Sequence, residues 1–209
     1  MLLNWLRYAI LALAAILAPA EFLRAALPTP GELPARGSLA GQLLIASPRM
    51  GDPRFDQTVI LLVRHNQEGA VGLVLNRPLG ERPLASILET LGEKENSANG
   101  SVRVFAGGPV APQIGFVIHS PEYRRAETVD IDGRVAVTST PEILRDMGHD
   151  RGPRKSLVLF GYAGWAAGQL EGELASGVWF IAPEEPALVF DEDREKLWER
   201  AMARRTQDL

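Results

Sequence analysis

The chain has 209 residues, of which 46% are hydrophobic and 23% charged, and its formal net charge is -4. That length suits one ordinary domain with a core of its own, and the acidic balance offers no general positive field to nucleic acid. There is no cysteine, which excludes a disulfide framework, a thiolate nucleophile and cysteine-ligated zinc or iron–sulfur centres.

Residues 1–37 stand apart from the rest. Arg7 precedes an apolar run from Tyr8 to Leu17 and then Ala18-Pro19-Ala20, the pattern of a secretory signal or an anchor. The run is shorter than the roughly 20 apolar residues that a spanning helix needs. Two other readings stay open, translation from upstream of the true start and a structural helix. The Pro- and Gly-rich stretch LPTPGELPARG (27–37) has linker composition, so the folded body is expected over 38–209. The expected location is cytoplasmic. Membrane contact or a periplasmic location follows only if residues 1–20 are a real signal or anchor.

From Ser38 the pattern assigns elements in order. GQLLIAS (41–47) is an apolar run between turn residues and predicts a buried strand. TVILLVRH (58–65) and GAVGLVLNRP (69–78) predict two central strands joined by a short polar turn. PLASILETLG (83–92) places Leu84, Ile87, Leu88 and Leu91 at helical spacing and ends in a glycine. VRVFAGGPV predicts a strand as far as Ala106 and a glycine turn, and IGFVIHS (114–120) another strand. ETVDIDGRVAVTS predicts two short strands around Asp132-Gly133. TPEILRDMG (140–148) predicts a helix with Thr140 as N-cap and Gly148 closing it. SLVLFGYAG (156–164) predicts a strand, GQLEGELASG a short helix, and VWFIA (178–182) and ALVF (187–190) two more strands. DEDREKLWERAMARR predicts a last helix capped by Asp191. Helices and strands without a strict βαβ rhythm predict a single α+β domain with a mixed, mostly antiparallel sheet of hairpins and flanking helices.

Candidate chemistry is sparse. The three histidines are His65, His119 and His149. His65 and His119 each close an expected strand, where a ring can serve as base or ligand or simply hydrogen-bond the adjoining loop. No H-E-x-x-H, G-x-S-x-G or G-x-x-x-x-G-K-[ST] stretch occurs, so zincin, α/β-hydrolase and P-loop chemistry lose their usual entry points. In GYAGWAAGQLEGELASGVW (161–179), Gly161, Gly164 and Gly168 predict a tight corner from strand to helix, with Trp165 and Trp179 buried against it. The spacing does not fit G-x-G-x-x-G and no basic residue stands there, which argues against a phosphate cradle. Glu171 and Glu173, two apart on a helix, diverge and form no acid–base pair, and the helix N-terminus accounts for Glu171. EYRRAE (122–127) and DRGPRK (150–155) are short basic spots in an acidic chain, too little for direct nucleic-acid binding.

Taken together, GQLLIASPRMGDPRFDQTVILLVRHNQEGAVGLVLNRP, then GGPV and GFVIH, then LVLFGYAGWAAGQLEGELASGVWFIAP resemble the AlgH/YqgE family of bacterial proteins, from about Ser38 to Arg205. The resemblance implies a compact α+β domain, no assigned reaction, no cofactor or metal, and a link to transcriptional regulation. Members start near the position of Leu39, which motivates the upstream-translation reading of the extension. The matching motif positions suggest a candidate pocket or interaction surface bounded by the glycine corner, Asn76-Arg77-Pro78 and Gly107-Gly108-Pro109. It would comprise His65, Asn76, Arg77, Gly107, Gly108, His119, Tyr162, Trp165, Gln169 and Glu171. No catalytic residue is assigned. The expected function is a non-enzymatic regulatory or interaction protein with a protein or small-molecule partner. The alternative is an enzyme using His65 or His119 with a carboxylate, which convergence of both histidines and an acid in one cleft would favour.

Overall fold

Strand β9 (Ser156–Ala166) lies at the centre of the molecule. The computed structural model describes Leu27, residues 37–93 and residues 98–206. The signal-like run, Ala18-Pro19-Ala20 and most of the linker lie outside the described residues. The other strands are β1 (Gln42–Ala46), β2 (Val59–Asn66), β3 (Gly69–Val74), β4 (Pro78–Pro83), β5 (Ser101–Ala106), β6 (Val110–His119), β7 (Val129–Asp130), β8 (Ala136–Thr138) and β10 (Trp179–Pro183). Five short helices join them: α1 (Leu84–Thr90), α2 (Glu142–Gly148), α3 (Gln169–Ala175), α4 (Pro186–Val189) and α5 (Leu197–Met202). The strand order is β10-β1-β2-β3-β9-β6-β8-β7, with β5 also on β9 and β4 on β5. All pairings are antiparallel except β5 with β9. The chain is thus a single α+β domain built on one curled, mostly antiparallel sheet.

Three apolar clusters show how the sheet is covered. The largest draws side chains from every strand but β4 and is closed by Leu188, Val189, Leu197 and Ala201 of α4 and α5; it is the inside of the curl. Leu27 is buried in the same cluster. On the outer face, Leu44, Ile60, Leu62, Trp165 and Trp179 pack under Leu170 of α3. A second outer cluster holds Val104, Val117 and Val158 beneath Leu84, Leu88, Ile143 and Leu144 of α1 and α2.

While serving both outer clusters, β9 changes its facing midway. Leu157 and Leu159 point inward and Val158 outward, as strand alternation demands. Beyond Gly161 the parity is reversed: Tyr162 packs on the inner cluster while Ala163 and Trp165 lie outside. Gly161 sits at φ 75°, so it acts as a glycine β-bulge, the one-residue insertion that flips every later side chain. The bulge is crossed by the turn between β5 and β6. Gly107 N–H donates to the Phe160 carbonyl at 2.7 Å, and the Gly107 carbonyl accepts from Val74 N–H at 2.8 Å. A Cβ on Gly161 would lie 2.4 Å from the Gly108 carbonyl oxygen, one on Gly107 2.3 Å from the Gly161 oxygen, and one on Gly108 2.1 Å from the Tyr162 carbonyl carbon. Two backbones touch with no room for any side chain between them.

Several sequence expectations are corrected here. Gly161 and Gly164 lie within β9 rather than at a strand-to-helix corner, and the turn into α3 comes at Gly168 with φ 74°. Gly164 is exposed and meets only the Tyr162 ring at 3.4 Å. Residues 187–190 are not a strand; Pro186 starts the helical turn α4 instead, in keeping with the proline preference for a first helical position. The last helix begins at Leu197 with Lys196 before it, and Asp191 caps nothing there but accepts from Asp193 N–H at 3.0 Å and pairs with Arg200. Thr140 does not cap α2: Pro141 holds that place without a side-chain bond, and the last turn runs through Gly148 to His149. Strand β4 was not expected. It is a fully exposed edge strand flanked by prolines, a composition that strand patterns penalise.

The two ends of the strand order meet across the curl. Glu184, directly after β10, is 1% exposed, and Arg134 in the β7–β8 turn lies 3.2 Å from its Oε2. Arg134 also holds Asp132 at 2.6 Å. Burial first, and the neighbouring Asp132 carboxylate second, push the Glu184 carboxyl up to about 8, so near neutrality Glu184 keeps its proton. Because the folded pKa lies above the ordinary 4.5, this group's contribution is fully present below the ordinary value and is lost as pH rises through the folded one. Denaturation midpoints should therefore fall between about pH 6 and about pH 9 in the wild type and fall less in Glu184→Gln; equal slopes would show that Glu184 titrates normally. At the crossing, Gly161→Ala and Gly107→Ala should each cost roughly 2–4 kcal/mol through backbone strain and overpacking. Gly164→Ala should stay within about 0.5 kcal/mol. Chemical denaturation of the three variants measures this, and equal losses would remove the special status of the crossing.

Candidate functional site

The glycine bulge decides what the GYAGWAAGQLEGELASGVW segment builds. By sending Trp165 to the outer face it lays the indole over Gly72, where a Cβ would lie 2.4 Å from Ile60 Cγ2 and 3.4 Å from the Trp165 ring. Trp165 and Trp179 meet edge to face at 5.9 Å, and Phe55 meets Trp179 at 5.7 Å. Both indoles are buried, and a buried indole N–H needs an acceptor. Both donate to one oxygen, Glu173 Oε2, at 2.9 and 2.7 Å. Gln169 donates to the other Glu173 oxygen at 2.9 Å and accepts from Ala166 N–H at 3.1 Å. Glu173 thereby pins a helix of only seven residues to the sheet. It was absent from the expected site. The signal that could have found it is the demand of two neighbouring tryptophans for acceptors in a segment with few of them.

Glu171 diverges from Glu173, as expected for two residues apart on a helix, and its partner is His65. Leu39 N–H donates to His65 Nδ1 at 2.9 Å, which leaves the ring proton on Nε2 to be donated to Glu171 Oε1 at 2.8 Å. Ser38 Oγ donates to the His65 carbonyl at 2.8 Å. The irregular register between Leu62 and Arg64 turns His65 outward to reach α3. The Glu171 carboxyl is held below its usual range first by its own backbone N–H, a free amide of the first helical turn, and then by His65, so the helix end and the specific bond act together. The side chain of His65 is 10% exposed and that of Glu171 54%. The pair joins the entering chain to α3, and the carboxylate keeps one face to solvent.

His119 belongs to a different place. It is fully buried, donates from Nδ1 to the Ser120 carbonyl at 3.0 Å and accepts at Nε2 from Thr138 Oγ1 at 2.9 Å. Its ring meets Tyr123 edge-on at 5.4 Å, and Tyr123 donates to the buried Asp146 at 2.8 Å beside Arg125. Burial holds the His119 pKa below its usual value, so the imidazole is neutral. His65 lies beside α3, whereas His119 packs near Tyr123 of the other outer cluster.

The remaining expected residues divide the same way. Asn76 Oδ1 accepts from Val59 N–H at 3.0 Å and its amide donates to the Gln57 carbonyl at 2.8 Å, fastening the entry to β2, where Gln57 has φ 50°. Arg77 donates to the Asp56 carbonyl, and its own carbonyl accepts from Ala106 N–H at 2.8 Å. Gly107, Gly108 and Tyr162 meet at the crossing, where Tyr162 packs edge-on against Phe116 at 6.2 Å. So His65, Trp165, Gln169 and Glu171 gather around α3; Gly107, Gly108 and Tyr162 form the crossing; Asn76 and Arg77 tie down the 52–58 loop; and His119 stands elsewhere. The expected single pocket is not formed by these contacts. Among the described residues no group of three His, Asp or Glu side chains converges to hold a metal ion, and no helix is long and apolar enough to cross a membrane. A depression of about 550 Å³ opens among Ser120, Glu122, Arg124, Gly133, Arg154 and Lys155, none of them in the expected site.

Comparison with known proteins places this arrangement. The chain is 45% identical over 166 residues to a UPF0301 protein of Jannaschia, covering 78% of this chain and 86% of that one. It is 40% identical over 174 residues to a UPF0301 protein of Methylococcus capsulatus, covering 83% and 95%. The solution structure of the AlgH protein from Pseudomonas aeruginosa superposes with a TM-score of 0.70 at 39% identity, over 83% of this chain and 92% of that one. A crystal structure of a Corynebacterium diphtheriae protein shares the fold with a TM-score of 0.63 at 21% identity, over 88% and 93%. The family described as AlgH-like matches residues 43–209, a span that includes β9, its glycine crossing and the two-tryptophan clamp on Glu173, and the chain belongs to that family.

Proposed function

We propose that this chain is a non-enzymatic regulatory or interaction protein of the cytoplasm, acting through a protein or small-molecule partner in a transcription-related role, with the body after residue 37 carrying that role. The observation that supports this reading is the use made of the histidines. Both ring nitrogens of His65 and of His119 are committed to hydrogen bonds inside the fold, and the two rings stand at different outer clusters of the sheet. A general base needs a free lone pair within reach of substrate. Accepting a proton at Nδ1 would cost His65 its bond from Leu39, and at Nε2 would cost His119 its bond from Thr138.

One observation favours the enzyme alternative, the 2.8 Å pair of His65 with the exposed Glu171. The two readings separate by mutation. His65→Ala should cost about 1 kcal/mol, and His119→Ala roughly 2–4 kcal/mol because a buried ring and both its bonds are lost. Any cellular phenotype of a deletion should be rescued by either variant once its protein level matches wild type. A His65→Ala protein of normal stability and abundance that fails to rescue would establish a chemical or binding role for the pair.

A further inference from the structure

The two basic stretches that composition alone set aside come together in the fold. His119 at the end of β6 stands opposite Ser156 at the start of β9, so the segment leaving β6 and the segment entering β9 emerge side by side. They are stitched closely. Ser120 N–H donates to the Lys155 carbonyl at 3.0 Å, Lys155 N–H donates to Ser120 Oγ at 3.0 Å, and Arg154 N–H donates to Glu122 Oε1 at 2.8 Å. Ser120 Oγ donates to the same carboxylate oxygen at 2.7 Å. The one acid lining the depression is therefore turned onto a backbone amide and a hydroxyl.

The cations around it are differently placed. The Arg154 side chain is 83% exposed, and its Nε is 3.7 Å from the nearest Glu122 oxygen. Lys155 makes no ion pair among the described residues; its ammonium lies 6.0 Å from the Phe190 ring centre. Arg124 reaches Asp130 at 2.6 Å yet stays 56% exposed. In a protein of net charge -4, positive charge is left in excess at this depression of about 550 Å³.

We propose that the depression lined by Arg124, Arg154 and Lys155 binds a small, multiply charged phosphate anion. Its volume falls in the range of small-ligand sites. Guanidinium forks and an ammonium match phosphate oxygens, and Gly133 at the rim lets backbone approach closely. No aromatic ring lines it, so there is no platform for a base, as single-stranded nucleic-acid sites have. A compact oligophosphate fits; a nucleic-acid strand does not. This assignment is independent of whether the protein has a reaction.

Titration of the full chain with tripolyphosphate at low salt, where such contacts are least screened, tests it. Saturable binding is expected, with amide shifts at Gly133, Arg154 and Lys155, and a loss of about tenfold or more in affinity in Arg154→Gln/Lys155→Gln. An Arg54→Gln control should bind as wild type. Absence of saturable binding, shifts confined to other residues, or undiminished binding by a folded double variant would overturn the proposal. So would displacement of tripolyphosphate by an oligodeoxynucleotide at lower phosphate concentration, which would make the surface a nucleic-acid contact. The amide shifts of the unmutated protein decide the matter even if the double variant fails to fold.

Discussion

The backbone of Gly107 and Gly108 lies directly on that of Gly161 and Tyr162, and the arrangement of every layer follows from this contact. It allows β9 to carry a left-handed residue at its midpoint, which reverses the facing of the second half of the strand. The strand packs under α1 and α2 with its first half and under α3 with its second, and the reversal puts Ala163 and Trp165 on the outer face and Tyr162 on the inner core. Gly107 adds the lateral connection, since its amide serves β9 and its carbonyl the end of β3. A side chain at any of the three positions would hold the two backbones apart, and with them the two outer clusters.

Much of this architecture is legible in the sequence, but unevenly. β1, β2 and β3 are apolar and β-branched, and α1 has its leucines at helical spacing, so local pattern and tertiary role agree. Agreement fails where the deciding interaction is remote. Residues 187–190 have strand composition, yet Pro186 and the demand for Leu188 and Val189 at the inner cluster make a helical turn. β4 has prolines, a glycine and charges, and exists because β5 presents an edge to pair with. The glycines of the 161–179 segment announce a constraint, but which of them bears it depends on the β5–β6 turn, more than fifty residues away.

The site was legible to a lesser degree for the same reason. Trp165, Gln169, Glu171 and His65 do gather, because α3 is short and the His65–Glu171 bond fixes its orientation. The role of Glu173 is not legible locally, since it comes from two indoles delivered by different strands. His119 and Asn76 looked like possible chemistry and are instead internal braces, each satisfying two bonds near a strand end. The converse holds at the surface: EYRRAE and DRGPRK are unremarkable separately, and only the antiparallel register of β6 with β9 sets their charges around one depression. Polar residues that sequence marks as chemical are used for structure, and residues that sequence marks as solvated acquire the accessible charge.

If β9 and its crossing bind the two halves of the sheet into one cooperative unit, native-state hydrogen exchange should report it. The amides of Val74 and Gly107, which bridge the halves, should exchange only through global unfolding. Those of β1–β3 and of β6 with the first half of β9 should share the same opening free energy and denaturant dependence. Separate opening energies for the β1–β3 side and the β5–β6 side, with Val74 and Gly107 exchanging faster than either, would contradict the account.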